Sequence, residues 1–209
     1  MARSLSTKNL LDKKPGKIVQ LKNEALAKAI GQAERKGCWI IYGAEKNGKT
    51  KVALLLARDI SSSEKVAYIS AEEGTDKSFQ DAVGYANITA DYRIAWDEYL
   101  SIDEIIEKFK RPKTANIIFI DNLTIYQDEL KPSELKKKLV DAIPNKLFIL
   151  LAHEERKDAY PALARMAKKM AKVVIHVKGL KAFVISRFSK GGEIVIDEEK
   201  AALYWGEND

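Results

Sequence analysis

The chain has 209 residues, of which 46% are hydrophobic and 32% charged, and its net charge is +6. The composition is globular, and the length suits one domain with a sizeable core. The apolar stretches are no longer than strands and the N-terminus has no continuous apolar core, which excludes a membrane span and a secretory signal. The basic balance permits nucleic-acid binding without demonstrating it. Because Cys38 is the single cysteine, an internal disulfide is excluded and we expect a cytoplasmic protein.

The predicted elements start after a polar, basic arm at residues 1–16, which we expect to be flexible. Residues 17–209 are predicted to form a single domain. Helical and strand signals alternate through most of it, a pattern typical of parallel strands covered by helices. The predicted helices cover residues 22–35, 49–60, 76–86, 101–111, 132–142 and 161–170, and the predicted strands cover 38–42, 65–70, 92–95, 115–121 and 146–152.

The end of the chain has a different pattern. Residues 172–179, 181–189 and 191–206 follow one another as predicted strands separated by turns. Such a succession favours antiparallel pairing, so we expect these strands to extend one edge of the sheet. The predicted fold is an α/β three-layer α/β/α sandwich with a mainly parallel central sheet and antiparallel strands at the C-terminus.

The segment GAEKNGKT, from Gly43 to Thr50, fits the phosphate-binding pattern G-x-x-x-x-G-K-[ST]. Its glycines allow turns in which successive backbone N–H groups point at phosphate oxygens, while Lys49 reaches the β- and γ-phosphates and Thr50 binds Mg²⁺. An apolar strand precedes the segment and a helix follows it, as the pattern requires; the alternative is an ordinary strand-to-helix turn. The predicted nucleotide-binding residues are Gly43, Ala44, Glu45, Lys46, Asn47, Gly48, Lys49, Thr50 and Lys51.

Acidic residues follow two other predicted strands. The run NIIFID carries Asp121 to the carboxyl end of a buried strand, the edge at which ligands bind in open α/β sheets, and Asp121 is therefore a candidate Mg²⁺ residue. The run YISAEEG places Glu72 and Glu73 at the same edge, where either could orient a water molecule for attack on a phosphate. We favour Glu72. The alternatives are a loop cap for Asp121 and a solvated acidic pair for the glutamates.

The two histidines receive different interpretations. His153 ends the apolar run LFILLA, so it is expected at the same edge, where it could hydrogen-bond a γ-phosphate oxygen. His176 lies within a predicted strand and is interpreted as a packed or edge residue. No histidine–cysteine cluster indicates a structural zinc site.

The ordered set GAEKNGKT, YISAEEG, NIIFIDN, LLAHEERKD and VISRFSKGG resembles the RecA/RadA-like branch of P-loop ATPases over roughly residues 22–206. It looks most similar to the small RecA-type ATPases of bacterial phages and mobile elements. The resemblance implies a RecA-like fold, ATP and Mg²⁺ as cofactors, Asp121 as the Walker B aspartate and Glu72 as the residue that activates water. His153 occupies the position of the polar sensor.

The resemblance also implies partners. Arg187, in VISRFSKGG, corresponds to the residue that reaches into a neighbouring subunit's ATP site, which implies a homo-oligomer; Lys181 is a weaker candidate. Residues 154–169 lie where related proteins carry a mobile DNA-contacting loop. The cations that could meet DNA phosphates there are Arg156, Lys157, Arg165, Lys168 and Lys169. A surface helix is the equal alternative, and Glu154 and Glu155 oppose DNA contact.

The leading hypothesis is a Mg²⁺-dependent ATPase that acts on DNA in phage or mobile-element recombination, repair or replication, with Lys49, Glu72, His153 and Arg187 as catalytic residues. The first rival is a nucleotide-gated adaptor or helicase-loader-like module with little hydrolysis. The second rival is a P-loop kinase for a small metabolite. The kinase is less favoured because no lid segment with clustered arginines is evident.

Overall fold

The computed structural model describes residues 4–206. The helices are α1 (Thr7–Leu11), α2 (Glu24–Ile30), α3 (Lys49–Ser61), α4 (Lys77–Tyr85), α5 (Ile102–Lys110), α6 (Ala162–Met170) and α7 (Glu198–Trp205). The strands are β1 (Gly37–Gly43), β2 (Val66–Ser70), β3 (Ile94–Asp97), β4 (Ile117–Asp121), β5 (Leu147–Glu155), β6 (Asp158–Tyr160), β7 (Val173–Lys178), β8 (Lys181–Ser186) and β9 (Gly192–Val195). Within the described part of the chain, no helix is long and apolar enough to cross a membrane.

The nine strands form one sheet with the order β3-β2-β4-β5-β1-β7-β8-β9, and β6 pairs with β5. In that order, the strands from β3 to β7 are parallel, whereas β8 and β9 are antiparallel additions beyond β7. The expected architecture, a parallel sheet with an antiparallel C-terminal extension, is confirmed. Parallel strands place all their carboxyl ends at one edge of the sheet, which we call the carboxyl edge, and all their starts at the other, the amino edge.

Helices cover both faces of the sheet. Alternate residues of β1 point to opposite faces, so that Trp39 and Ile41 pack in the cluster beneath α2, α3 and α4. Ile40 belongs to the opposite cluster, which includes Ile105 of α5 and Leu163 of α6. Burial on both faces explains why the central strands are almost uninterrupted apolar runs and were predictable from sequence.

Three local predictions are wrong. The helix predicted at residues 132–142 is a 3₁₀ turn, Pro132–Glu134, followed by a π-helical turn, Lys136–Val140, which buries the adjacent Leu139 and Val140 together. Residues 198–205 form α7 and not a strand, because Asp197 caps the first turn and Gly206 ends the helix in a left-handed conformation. The strand β6, not predicted, pairs with the end of β5.

The amino-terminal segment forms few contacts. α1 buries none of its residues. The chain joins the body of the domain at an isolated bridge between Ile18 and Glu34, close to the predicted domain start at residue 17. The flexibility expected for residues 1–16 stays a prediction, and residues 1–3 lie outside the described part.

Candidate nucleotide site at the carboxyl edge

The phosphate-loop segment lies between the central strand β1 and the first turn of α3. Gly43 ends β1 beside Val177 of β7, and a Cβ built on it would lie 2.1 Å from the Val177 carbonyl oxygen. Gly48 has φ of +96° immediately before α3, and a Cβ there would lie 2.9 Å from Leu180. Both glycines of the pattern are therefore required by the backbone. The N-terminus of α3, whose dipole and N–H groups favour anions, begins directly after this loop.

The loop is fixed from behind by the C-terminal part of the chain. The Asn47 side-chain oxygen accepts a hydrogen bond of 2.6 Å from the Gly179 N–H, in the turn between β7 and β8. The Asn47 amide also donates to the Glu45 carbonyl at 2.9 Å. Lys51 forms a 2.9 Å ion pair with Asp197, the residue that caps α7. A variable position of the motif thus has a structural role that the pattern alone does not specify.

Lys49 is folded back onto the loop. Its ammonium group donates a 3.0 Å hydrogen bond to the Ala44 carbonyl. Burial lowers the pKa of Lys49, and the nearby Asp121 and Glu72 carboxylates oppose that shift. A cation held at a carbonyl on an anion-binding loop can exchange that partner for a phosphate oxygen.

Thr50 and Asp121 approach each other across the edge. The Thr50 hydroxyl donates to Asp121 Oδ2 at 3.5 Å, and the Tyr68 hydroxyl donates to the same oxygen at 2.7 Å. Burial raises the pKa of Asp121 to about 6; the Tyr68 hydrogen bond opposes this rise, and Glu72 and Glu73 add to it. Tyr68 lies two residues before the strand end and was not singled out from the sequence.

The donor set fits Mg²⁺ in part. A hydroxyl and a carboxylate are hard oxygen ligands, which Mg²⁺ prefers. Among residues 4–206, no group of three or more histidine, cysteine, aspartate or glutamate side chains is gathered as a metal site. Thr50 and Asp121 would therefore hold the ion only together with phosphate oxygens and water, the usual arrangement for nucleotide-bound Mg²⁺.

A second polar group lies beside this pair. His153 Nε2 is 3.3 Å from Glu72 Oε1 and 2.9 Å from the Asn122 amide nitrogen, and that amide also donates to Glu72. Asn122 is buried, and its side-chain oxygen accepts from the Thr124 N–H at 2.6 Å. The structure thus joins Glu72 to His153 through Asn122, a residue that sequence reasoning did not select. Glu73 lines the cleft without a hydrogen bond to this group in the described part of the chain.

These side chains surround one open cleft with a volume of about 460 Å³. The predicted site residues that line it are Glu45, Lys46, Gly48, Lys49, Thr50, Lys51, Glu72, Asp121 and His153. The cleft lies at the carboxyl ends of β1, β2, β4 and β5, where the order of the strands departs from their order in the chain. Residues from four separate segments therefore meet as the sequence analysis expects.

Two predicted partner elements lie elsewhere. Arg187 is exposed just after β8, and its N–H bonds to the Lys172 carbonyl at the amino edge. The six residues of β7 separate the two edges by about 16 Å, so Arg187 cannot contact the phosphate loop of its own chain. Lys181, the weaker candidate, starts β8 and forms an ion pair with Glu193.

The segment predicted as a DNA-contacting loop is largely regular. Residues 154–160 complete a hairpin between β5 and β6, and α6 follows, which corresponds to the surface-helix alternative. Lys168 forms a 2.7 Å ion pair with Asp158 and lies 4.4 Å from the centre of the Tyr42 ring. His176 stacks on that ring and contacts Glu154 at 2.7 Å, so it is partly buried in a polar cluster.

Strand order, glycine geometry and the arrangement of helices define the class: the chain has the three-layer fold of RecA-like P-loop NTPases. A KaiC-like protein, PH0186, from Pyrococcus horikoshii OT3 superposes with a TM-score of 0.60 at 15% identity, over 84% of this chain and 90% of that one. A second solved structure, an isolated ATPase domain, superposes with a TM-score of 0.57 at 15% identity, over 81% of this chain and 84% of that domain.

The ATP synthase subunit NeqB of Nanoarcheaum equitans superposes with a TM-score of 0.56 at 13% identity, over 78% of this chain. This chain spans only 50% of the length of NeqB. No protein-family model and no curated protein sequence matches the chain. At identities this low, the likeness establishes the fold alone.

Proposed function

We propose that the protein is a Mg²⁺-dependent ATPase of the RecA type. The observation that carries this proposal is the convergence of the phosphate loop, the Thr50–Asp121 pair and Glu72 on one cleft. The specificity for adenine rests on the family resemblance. The structural neighbours include an ATPase domain and an ATP synthase subunit, which agrees with the proposal but establishes only a shared fold.

Each side chain has a distinct task in the proposed hydrolysis. The loop N–H groups and Lys49 bind the phosphates and stabilise the charge that develops on them. Glu72 orients the attacking water and accepts its proton, and Asn122 and His153 hold the Glu72 carboxylate at the cleft. Thr50 and Asp121 hold Mg²⁺, which when bound neutralises charge on the β- and γ-phosphates.

The test compares two adjacent glutamates. Glu72→Gln removes the proton acceptor while it preserves shape, so we expect hydrolysis to fall by about 100-fold or more with ATP binding retained. Glu73→Gln is the matched control, since it removes the same charge one residue away; its rate should stay within about threefold of wild type. The opposite pattern would assign the role to Glu73. Tight ATP binding with background hydrolysis by the wild type would favour the nucleotide-gated adaptor.

We further propose that the protein acts on DNA as a homo-oligomer, in phage or mobile-element recombination, repair or replication, together with protein partners of those processes. Support comes from the net positive charge and from the motif resemblance. Hydrolysis measured with and without single-stranded DNA, across protein concentration, tests both statements. A DNA-stimulated rate that rises faster than linearly with protein concentration is expected; a rate indifferent to DNA and strictly proportional to protein would contradict both.

Arg187 is proposed to act on the ATP site of a neighbouring subunit, since it lies too far from its own. Arg187→Ala and Lys49→Ala should each be inactive alone. Their mixture should recover activity, because some interfaces then combine an intact phosphate loop with an intact arginine. Lys190→Ala, which removes a nearby exposed cation, is the control and should stay active. Failure of the mixture to recover activity would remove the role in trans.

A further inference from the structure

A large cavity lies at the amino edge, away from the nucleotide cleft. It has a volume of about 580 Å³ and opens where β2, β4 and β5 begin. Its walls come from the residues that precede these strands and from the loop that joins α5 to β4. No residue proposed for ATP binding or hydrolysis contributes to it.

The walls of this cavity are strongly cationic. Glu64 is the only carboxylate among the described residues that line it, and it is held by Arg35 at 2.8 Å and by the Asn116 amide at 3.1 Å. The cations that line the cavity are Lys65, Arg93, Lys110, Arg111, Lys113 and Lys146. Of these, Arg111 pairs with Glu107, a residue of α5. Positive charge therefore greatly exceeds negative charge around the opening.

Backbone carbonyls hold several of these cations in place. Lys146 donates to the Ala115 carbonyl at 2.7 Å and to the Thr114 hydroxyl at 3.1 Å. Burial lowers the pKa of Lys146, and nearby Arg35 lowers it further, the response expected where cations gather without anions. Arg93 donates to the Ser62 carbonyl at 3.2 Å. This preorganisation distinguishes the cavity from a solvated face with mobile lysines.

A second cavity of about 390 Å³ continues the first along the same edge, towards β3. The two share Lys65, Arg93 and Lys113, and the second adds Lys108 and the ring of Tyr92. Together they form a groove, which we call the amino-edge groove, across the starts of β3, β2, β4 and β5. Three interstrand spacings of about 4.8 Å give it a length that can meet several successive phosphates.

We propose that the amino-edge groove binds the backbone of single-stranded nucleic acid. Fixed lysines and arginines along a groove, with an aromatic ring in its wall, match the phosphate contacts and base stacking by which single strands are held. The predicted DNA segment at the carboxyl edge offers less, because Arg156 adjoins Glu155 and Lys168 is paired with Asp158. The inference rests on the proposed action on DNA for its biological meaning, whereas binding itself requires no nucleotide.

The test uses three double charge reversals of equal net charge in the full chain. Lys65→Glu/Lys113→Glu alters the groove where its two cavities meet; Arg156→Glu/Lys157→Glu alters the β5–β6 turn; Lys8→Glu/Lys13→Glu alters the exposed α1 region. Binding of a labelled thymidine oligonucleotide of about 15 nucleotides is followed by fluorescence anisotropy without ATP, across salt concentrations. Circular dichroism and ATP binding report on the integrity of each variant.

The groove variant should bind about 20-fold more weakly at about 0.1 M salt, and its slope of log affinity against log salt should fall by about 1.4. The other two variants should stay within about threefold of wild type. An equal loss in all three variants would mean diffuse attraction, and a loss confined to the turn variant would place the DNA at the carboxyl edge; either overturns the proposal. So would wild-type binding of polyglutamate in preference to the oligonucleotide. Because ATP binding is read separately, failure here leaves the ATPase proposal standing.

Discussion

The two edges of the sheet differ in the means by which they attract anions. At the carboxyl edge, glycines bring backbone N–H groups and the start of α3 to the ligand, and carboxylates stand beside them. At the amino edge, long cationic side chains converge from several loops, and the one carboxylate lining the cavity is neutralised by its neighbours. The first arrangement is rigid and suits one phosphate geometry, whereas the second tolerates variation and suits a repeating chain of phosphates.

The comparison is broken most severely by Gly43→Ala. The added Cβ would meet the Val177 carbonyl at 2.1 Å, so β1 and β7 must separate. We expect unfolding free energy to fall by about 3 kcal/mol or more and ATP binding to be lost. Gly84→Ala, in α4 with open space around it, is the matched control and should raise stability by about 0.5–1 kcal/mol. Chemical denaturation measures both, and a neutral Gly43→Ala would refute the steric account.

Lys49→Ala should separate the edges functionally. It removes the ammonium group that contacts the loop carbonyl at Ala44, so ATP turnover should fall by about 100-fold or more while the fold persists. Lys137→Ala, an exposed lysine of the π-helical turn, is the control. Steady-state hydrolysis with Mg²⁺ is the measurement. Turnover at the wild-type rate in Lys49→Ala would remove the proposed mechanism.

Tyr68→Phe tests the electrostatics of the carboxyl edge more gently. The pKa of Asp121 is raised to about 6, so its charged form, and hence Mg²⁺-dependent ATP binding, should weaken as pH falls through that value. The Tyr68 hydrogen bond favours the carboxylate, and its removal should move the midpoint upward and lower stability by about 1 kcal/mol. Tyr126→Phe removes a hydroxyl bonded to the Leu100 carbonyl and should leave the midpoint unchanged. Equal midpoints in all three proteins would contradict this.

The smallest expected effect lies at the amino edge. Lys172 and Lys36 hold the pKa of Glu34 at about 2, below its ordinary value of 4.5. Because the folded pKa is lowered, the stabilisation is fully present above about pH 4.5 and is lost as pH falls towards 2. Glu34→Gln should therefore lose less stability than wild type between those values, whereas the exposed Glu199→Gln should behave as wild type. Thermal unfolding at several pH values measures the difference.

The sequence was most informative where one local pattern determines the outcome. Buried strands β1, β2, β4 and β5 are continuous apolar runs, and the capping box at Ser101 and Glu104 starts α5 as predicted. Prediction was wrong for α7, where the caps at Asp197 and Gly206 outweigh an apolar pattern interpreted as a strand. It was also wrong near residue 135, where a π-helical turn interrupts a regular helical period.

Sites assembled from distant segments were only partly predictable. The phosphate-loop motif and the polar residues that end strands identified the cleft, because parallel strands place their ends together. Tyr68 and Asn122 were not identified, since their importance depends on β2, β4 and β5 being neighbours in the sheet. The amino-edge groove had no sequence signal at all: its cations are scattered from Lys65 to Lys146 and converge only in the fold.

The attachment of the phosphate loop to the end of the chain has a consequence for synthesis on the ribosome. Asn47 and its partner Gly179 are separated by 132 residues, and Lys51 and Asp197 by 146. β1 itself lies between β5 and β7, both made much later. A nascent chain therefore carries the whole motif long before it can bind a nucleotide, and a chain truncated before residue 179 should be released without that ability.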